Sequence, residues 1–196
     1  MYDNLNLDSM GLSSQAFTYA FEGYTTLKNS GELKNDSILT IVDFDQPSYK
    51  KRMYVINIKS AKLLFNTWSA HGKNTGAAIA KDFSNKPHSH KSSLGFYLTE
   101  NTYMGGNGYS MRLIGLEKTN NNAWDRAIVL HGAPYVSRKM IENMGYIGRS
   151  YGCPAVSQEV NKPIIDKIKG GSCFFVYHKT YRSASIKPTV LAVSGK

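Results

Sequence analysis

Cys153 and His131 are the residues whose types and order along the chain could perform covalent chemistry. Cys153 stands in the segment Gly-Arg-Ser-Tyr-Gly-Cys-Pro-Ala, residues 148–155, downstream of His131-Gly132. A cysteine attacks a carbonyl carbon as the thiolate, and a free thiol with a pKa of about 8.5 is mostly protonated at neutral pH unless a nearby imidazole or positive charge lowers that pKa. His131 can supply the imidazole, so the pair predicts nucleophilic acyl transfer.

The residues around Cys153 predict a positioned loop rather than the interior of a strand or helix. Gly152 permits a sharp backbone turn, and Pro154 interrupts regular structure. A buried structural cysteine is the alternative, because free cysteine is among the most frequently buried residue types. For His131 the alternative is a ring that caps a strand end by bonding to the backbone. The flanking glycine and proline favour the catalytic interpretation.

The two motifs together resemble the L,D-transpeptidase catalytic domains, which cross-link bacterial peptidoglycan. The resemblance begins with His131-Gly132 and Ser150-Tyr151-Gly152-Cys153, and it extends over roughly residues 35 to 180, through the segments 90–97, 108–113, 127–133 and 148–156. It implies that Cys153 is the nucleophile, that His131 is its base, and that the amides of Gly152 and Cys153 bind the oxyanion. It also implies a mainly β fold, an L,D-transpeptidase-like sandwich or barrel with a few short helices and an N-terminal helix.

The sequence departs from the commonest form of this family's motif at two positions. Tyr151 stands where the family usually has histidine, and Ala155 stands where it usually has arginine. The branch with Ser-Trp-Gly-Cys-Pro-Ala is the closer match. Because the usual arginine is missing, Arg149 and Arg126 become the candidates for binding a substrate carboxylate, with a plain surface charge as the alternative for each.

Further side chains are predicted to line the substrate groove. Tyr151 either lines the groove or packs, and His90, in a loop-like stretch, either lines it or is simply exposed. We expect a backbone carbonyl or the Ser150 hydroxyl to fix the tautomer of the catalytic imidazole. The remaining candidates for contact with a peptide stem are Ser92, Ser93, Tyr97, Tyr109 and Arg112.

The family resemblance implies a peptidoglycan L,D-transpeptidase. Cys153 would form a thioester with a tetrapeptide stem, release the terminal D-amino acid and pass the acyl group to an amine acceptor. With water as the acceptor, the same acylation gives an L,D-carboxypeptidase, and a catalytically inactive wall-binding module would keep the fold alone. A papain-like protease is disfavoured, because there the cysteine precedes the histidine and begins a long helix. The resemblance further implies that carbapenem-type β-lactams acylate Cys153.

Composition fits one globular enzyme domain with an anionic partner. The chain has 196 residues, of which 41% are hydrophobic, enough for a substantial core without disulfide support. The formal charge of +10 suits the carboxylates of peptidoglycan stem peptides, or merely aids solubility. Nucleic acid is not expected as a partner, because the basic residues are scattered and carry no DNA-binding motif. The sequence predicts no cofactor and leaves the oligomeric state open.

The second cysteine and the other histidines are not predicted to react. Cys173 lies in the aromatic run 172–177, which is typical of a buried strand. We therefore expect a reactive Cys153 beside a structural Cys173, since a disulfide between them would block the nucleophile. No histidine spacing indicates a zinc site, so no metal is predicted.

The sequence also bears on cellular location. No stretch reaches the roughly 18 apolar residues that a membrane span requires. The start, Met1 to Asn4, is acidic and polar, unlike an export signal with its basic start and apolar middle. Because a cell-wall enzyme must leave the cytoplasm, we expect a periplasmic or cell-envelope location, and an apolar export segment ahead of this chain in the full-length gene product.

Hydrophobic periodicity predicts the elements that must position these residues. A helix capped by Ser13 or Ser14 and ended near Gly31 forms an N-terminal extension, residues 1–34, packed on a catalytic domain of residues 35–196. Short helices are expected at 137–144 and about 162–169, the second with Pro163 in its first turn. Strands are predicted at 38–44, 52–58, 62–69, 94–98, 110–116, 127–130 and 173–177. His131 would thus end a strand, and a loop beyond a helix would return Cys153 to it.

Overall fold

The computed structural model describes residues 1–182, which form eight strands, three α-helices and a short 3-10 helix at Asp3–Leu5. The helices are α1 (Ser14–Asn29), α2 (Arg138–Met144) and α3 (Gln158–Ile168). The strands are β1 (Ile38–Asp43), β2 (Met53–Asn57), β3 (Lys62–Thr67), β4 (Gly95–Gly105), β5 (Gly108–Gly115), β6 (Val129–Gly132), β7 (Ala155–Val156) and β8 (Cys173–Tyr177).

All eight strands join in a single sheet with the order β3-β2-β1-β8-β4-β5-β6-β7. The pairs β1–β8 and β6–β7 are parallel, and the other neighbours are antiparallel. Ala70, just beyond β3, bridges to Ala155 in β7, so the two ends of the sheet nearly meet. The prediction of a mainly β, barrel-like fold with a few helices is confirmed.

Helices cover the apolar faces of the central strands. Strands β1 and β8 are buried along their whole length, which explains their continuous apolar sequences. Helix α1 packs on them through residues at three- and four-residue spacing, and α3 buries three isoleucines on another part of the sheet. Within residues 1–182 no helix is both long and apolar enough to cross a bilayer.

The first two helices follow the predicted caps. The Ser13 hydroxyl accepts from the Ala16 amide at 3.0 Å, and α2 lies between Ser137 and Gly145, which has φ of 78°. The predicted start of α3 was wrong, because the helix begins four residues earlier, at Gln158. Pro163 is therefore its sixth residue rather than part of its first turn. The extra turn is stabilised by packing, since Val160 continues the apolar stripe of the buried isoleucines.

Two strand predictions need correction, and one strand was not predicted. Strand β4 runs on to Gly105 and forms a hairpin with β5, whereas the sequence predicted a strand that ends at residue 98. Strand β6 begins at Val129, because Ala127 has φ of 52°, outside the β region. The strand also continues to Gly132, so His131 lies inside β6 and not at its end. The two-residue strand β7 is too short for periodicity to detect.

The N-terminal helix shares the main core. Its buried side chains, Ala16, Ala20, Tyr24 and Leu27, belong to the same apolar cluster as the central strands. The predicted division at residue 34 stays a prediction, and the last fourteen residues of the predicted catalytic domain, 183–196, lie outside the described residues.

Candidate active site

The parallel pairing of β6 and β7 brings the cysteine to the histidine. His131 is the partner of Ala155 in this ladder, so Cys153, two residues earlier, lies opposite Val129. The Val129 amide donates a hydrogen bond to Cys153 Sγ at 3.5 Å. Since the chain passes through α2 between the two strands, residues far apart in sequence share one wall of the sheet.

Two clefts lie on either side of Tyr151, and Cys153 lines the first of them. The first, of about 300 Å³, is lined by Asn107, His131, Tyr135, Arg149, Ser150, Tyr151 and Cys153. The second, of about 240 Å³, is lined by Pro87, His88, His90, Asp125, Arg126, Ala127 and Tyr151. Tyr151 lines both, is 66% exposed, and has its ring 4.5 Å from that of His90. Its side chain therefore forms the wall between them.

A backbone carbonyl sets the state of the His131 ring. Nδ1 lies 3.0 Å from the carbonyl oxygen of Gly132, which can only accept, so Nδ1 carries the proton and Nε2 keeps its lone pair. Burial lowers the pKa of His131, although the Gly132 carbonyl opposes this. The imidazole is thus a neutral base at pH 7.

The thiol of Cys153 is neutral as well. Burial raises its pKa, while the Val129 amide and the charge of Arg126 act in the opposite direction. The thiol donates to the carbonyl oxygen of Ala127 at 3.6 Å, and Ala127 adopts the left-handed conformation, uncommon for a residue with a Cβ. Cys173, by contrast, is fully buried in β8, and both cysteines are free.

Ser150 holds the loop that carries the sulfur. Its hydroxyl donates to the carbonyl oxygen of Cys153 at 2.7 Å and accepts from the Gly152 amide at 3.0 Å. The Gly152 amide therefore bonds within the loop in this structure, and its place in the oxyanion hole stays a prediction. Gly152 has φ of 126°, and a Cβ there would lie 2.8 Å from the Lys91 carbonyl oxygen, so only glycine fits.

A model of the L,D-transpeptidase catalytic domain family matches residues 8–177. The chain belongs to the L,D-transpeptidase catalytic domain family. No protein with a curated function matches the sequence significantly.

Solved structures of L,D-transpeptidases are similar at low identity. One from Mycobacterium smegmatis has 14% identity over 72% of this chain and 59% of its own, with a TM-score of 0.45. LD transpeptidase LdtMt1 in complex with imipenem has 14% identity over 72% and 59%, with a TM-score of 0.43. One from Stackebrandtia nassauensis has 15% identity over 71% and 54%, with a TM-score of 0.42. The chain spans less than two thirds of the length of each.

The two arginines proposed as carboxylate ligands in this L,D-transpeptidase domain lie in different clefts. Arg126 lines the second cleft, but its guanidinium donates to four acceptors of its own chain: Ser84 O, Ser89 Oγ, Lys91 O and Ser93 Oγ. Arg149 lines the first cleft and donates to the carbonyl oxygen of Gly76 at 3.2 Å. Arg126 is thus bound mainly to its own chain, while Arg149 keeps donors toward the cleft.

Two other predicted contact residues lie outside both clefts. Ser92 is buried, accepts from the Gly72 amide, and donates to the Gly152 carbonyl oxygen at 3.1 Å, so it supports the cysteine loop from behind. The Tyr109 hydroxyl donates to Asp166 of α3 at 2.9 Å, on the opposite face of β5. Their predicted contact with substrate has no support in this geometry.

Sequence reasoning missed two residues of the first cleft. Tyr135 lies three residues after the His131-Gly132 motif, and this proximity could have indicated a role. Asn107 lies between β4 and β5, and only the strand pairing brings it to the cleft. Among residues 1–182, no group of three or more His, Cys, Asp or Glu side chains is placed to hold a metal ion.

Proposed function

We propose that the chain is a peptidoglycan L,D-transpeptidase that works through a thioester on Cys153. The observation that carries the proposal is that Cys153 and His131 line one open cleft, with the Nδ1 proton of the ring committed to the Gly132 carbonyl. The ring therefore offers Nε2 as the proton acceptor that a thiol nucleophile needs. The substrate follows from the family and is the stem peptide of peptidoglycan.

In the acylation step, Sγ attacks the carbonyl carbon of the L-centre in a tetrapeptide stem while His131 Nε2 takes the thiol proton. The tetrahedral oxyanion forms beside the Cys153 amide, the predicted donor left after the Gly152 amide bonds to Ser150. When the C–N bond breaks, the departing nitrogen takes the proton from Nε2. A free D-amino acid leaves, and a thioester remains on Cys153.

The deacylation step repeats this chemistry with an amine. His131 Nε2 removes a proton from the attacking amine of a neighbouring stem, and the thiolate leaves and is reprotonated. Water in place of the amine would give an L,D-carboxypeptidase, which shares the acylation step. Because peptidoglycan lies outside the cytoplasmic membrane, we also place the site of action in the cell envelope.

The thiol and the imidazole are both neutral before the reaction, and this determines when the proton moves. The pKa of the thiol is raised and that of the imidazole is lowered, both chiefly by burial, so a neutral pair is favoured over a preformed ion pair. The proton must then move as the carbonyl is attacked, after the thiol turns away from the Ala127 carbonyl oxygen. We therefore assign His131 the role of general base within the reaction.

The test is a comparison of Cys153→Ala with Cys173→Ala on purified muropeptides. Wild-type protein and Cys173→Ala should release the D-amino acid and gain the mass of the acyl group, and imipenem should also form an adduct. Cys153→Ala should show neither adduct and lose at least a thousandfold in turnover, the order expected for a covalent nucleophile. Unaltered turnover by Cys153→Ala would contradict the mechanism, and binding without an adduct in wild-type protein would indicate an inactive wall-binding module.

A further inference from the structure

The guanidinium of Arg112, in β5, contacts two exposed aromatic rings, one in β4 and one in the segment between β5 and β6. Arg112 Cζ is 5.0 Å from the ring centre of Tyr103 and 4.5 Å from that of Trp124. The rings are 36% and 50% exposed. Within residues 1–182 the Arg112 guanidinium has these ring contacts, but no hydrogen bond and no salt bridge. The rings therefore hold the charged group by cation–π contact, while its N–H donors stay unused within the described residues.

The strand register places this stack on the catalytic face. Arg112 pairs with Val129, whose amide contacts the Cys153 sulfur, and Ser110 pairs with His131. Residues paired in this way, and residues two apart on a strand, point to the same face of a sheet. Arg112 therefore shares the face of His131, about 10 Å from Cys153 at two strand spacings.

The opposite face of β5 is closed by helix α3. Tyr109 and Asp166 join the two elements there through their hydrogen bond of 2.9 Å. The Arg112 side chain consequently projects toward the side where substrate must approach. Asn107, at the tip of the same hairpin, lines the cleft of the sulfur, so the hairpin that carries Arg112 borders that cleft.

Arg112 differs from the other arginines near the sulfur. The guanidinium groups of Arg126 and Arg149 donate to backbone carbonyl oxygens, whereas that of Arg112 contacts only the two rings among residues 1–182. A stacked, planar guanidinium loses little freedom when it binds a planar anion through two parallel hydrogen bonds. A carboxylate, whose two oxygens lie in one plane, matches the paired N–H donors of the guanidinium.

We propose that Arg112, held between Tyr103 and Trp124, binds the terminal carboxylate of the D-amino acid that is released from the stem. The inference rests on the proposed function and adds the group that orients the leaving residue. That carboxylate is separated from the scissile carbonyl carbon by only one nitrogen and one Cα, so it is the substrate anion closest to the attacked bond. Binding it aligns the scissile bond with Cys153.

The test compares a synthetic tetrapeptide stem that ends in a free carboxylate with the same peptide ending in an amide. With the acid, Arg112→Gln should lower kcat/KM by roughly tenfold to a hundredfold, the range for a charge-assisted hydrogen bond. Arg112→Lys should recover part of this loss, because lysine keeps the charge but lacks the paired N–H donors of the guanidinium. With the amide, wild-type protein and Arg112→Gln should react at the same reduced rate.

Two controls separate binding from folding. Arg138→Gln removes an equal charge from the exposed start of α2 and should leave both peptides unaffected. Titration calorimetry on Cys153→Ala should show that adding Arg112→Gln weakens binding of the acid and not of the amide. Equal losses for acid and amide, or none for either, would overturn the role of Arg112 and leave the proposed function standing. Failure of wild-type protein to release the D-amino acid and to form an adduct would overturn both.

Discussion

At the scale of single residues, the reactivity of Cys153 depends on groups that stabilise a thiolate inside a protein. Arg126 contributes through its position, since its Nη2 would lie 3.2 Å from a Cβ built on Gly152, next to the sulfur. Its hydrogen bonds go to neutral acceptors, so its charge is not cancelled by a bonded carboxylate. We therefore regard Arg126 as a positioning residue that also favours the thiolate. Tyr135, Arg149 and His131 also face the sulfur from the first cleft.

We expect Arg126→Gln to move the pH midpoint of Cys153 alkylation by iodoacetamide to higher pH, because the opposing charge is lost while burial remains. Arg126→Lys should keep the midpoint closer to that of wild-type protein. The rate is measured by intact mass across pH 6 to 10. Cys173 is an internal control, since burial raises its pKa strongly and its side chain is fully enclosed. Identical midpoints for all three proteins would show that Arg126 has no electrostatic role.

The sequence predicted the two reacting residues but not the hydrogen bonds that surround them. Residue types and the motif were enough for Cys153 and His131, because the chemistry of a thiol and an imidazole is local. The bond from the Gly152 amide to Ser150 and the thiol bond to Ala127 depend on backbone angles that no spacing encodes. The sequence offered Arg112 as one of several candidates for contact with a peptide stem, but not its contact with two rings from different segments.

At the scale of elements, capped and strongly periodic segments were predictable and short or context-dependent ones were not. Helices α1 and α2 carry serine N-caps, and local hydrogen bonds suffice to define them. Strand β7 and the first turn of α3 exist because neighbours pair with them or bury them. The contact of α1 with the sheet also depends on neighbouring residues rather than on local sequence. It depends on Gly23, a residue that helix propensity disfavours.

Gly23→Ala should destabilise the protein although alanine is the better helix former. A Cβ at this position would lie 2.1 Å from the Phe96 ring, which itself stacks on Phe175 with ring centres 4.1 Å apart. The gain in helix propensity, about 1 kcal/mol, is outweighed by overpacking of about 1–3 kcal/mol plus the shift of two stacked rings. Urea unfolding measures the difference, with exposed Glu22→Ala as the matched control. Increased stability of Gly23→Ala would mean that α1 does not pack closely on β4.

At the scale of the whole molecule, a buried cation links the far end of the sheet to the cysteine loop. Arg52 is fully buried and donates to Ser69, Gln46 and the Nδ1 of His71, the last at 2.7 Å. The His71 backbone carbonyl in turn accepts from the Ser150 amide at 2.9 Å. The loop that carries Cys153 is therefore stabilised by the segment around His71. The imidazole of His71 must stay neutral to accept from Arg52.

This arrangement makes stability depend on pH through His71. Its Nε2 donates to the Gly76 carbonyl oxygen at 3.2 Å and its Nδ1 accepts from Arg52, so both nitrogens are satisfied only in the neutral form. Burial, reinforced by the charge of Arg52, lowers the pKa of His71 to about 3. Below pH 6.5 the unfolded chain binds a proton at this position and the folded protein does not. The free energy of unfolding must therefore fall as the pH decreases from 6.5 toward 3.

We expect His71→Asn to flatten this dependence. The asparagine oxygen can still accept from Arg52 but cannot titrate, so the variant should be less stable at pH 7, because the packing of the ring on Phe44 is lost. Between pH 6 and pH 4 its free energy of unfolding should fall by roughly 1.4 kcal/mol less per pH unit than that of wild-type protein. His131 and His178, whose pKa values are also lowered chiefly by burial, contribute equally to both proteins and cancel in the comparison. Urea titrations at each pH give the two curves, and parallel curves would show that His71 takes up its proton as readily in the folded protein as in the unfolded chain.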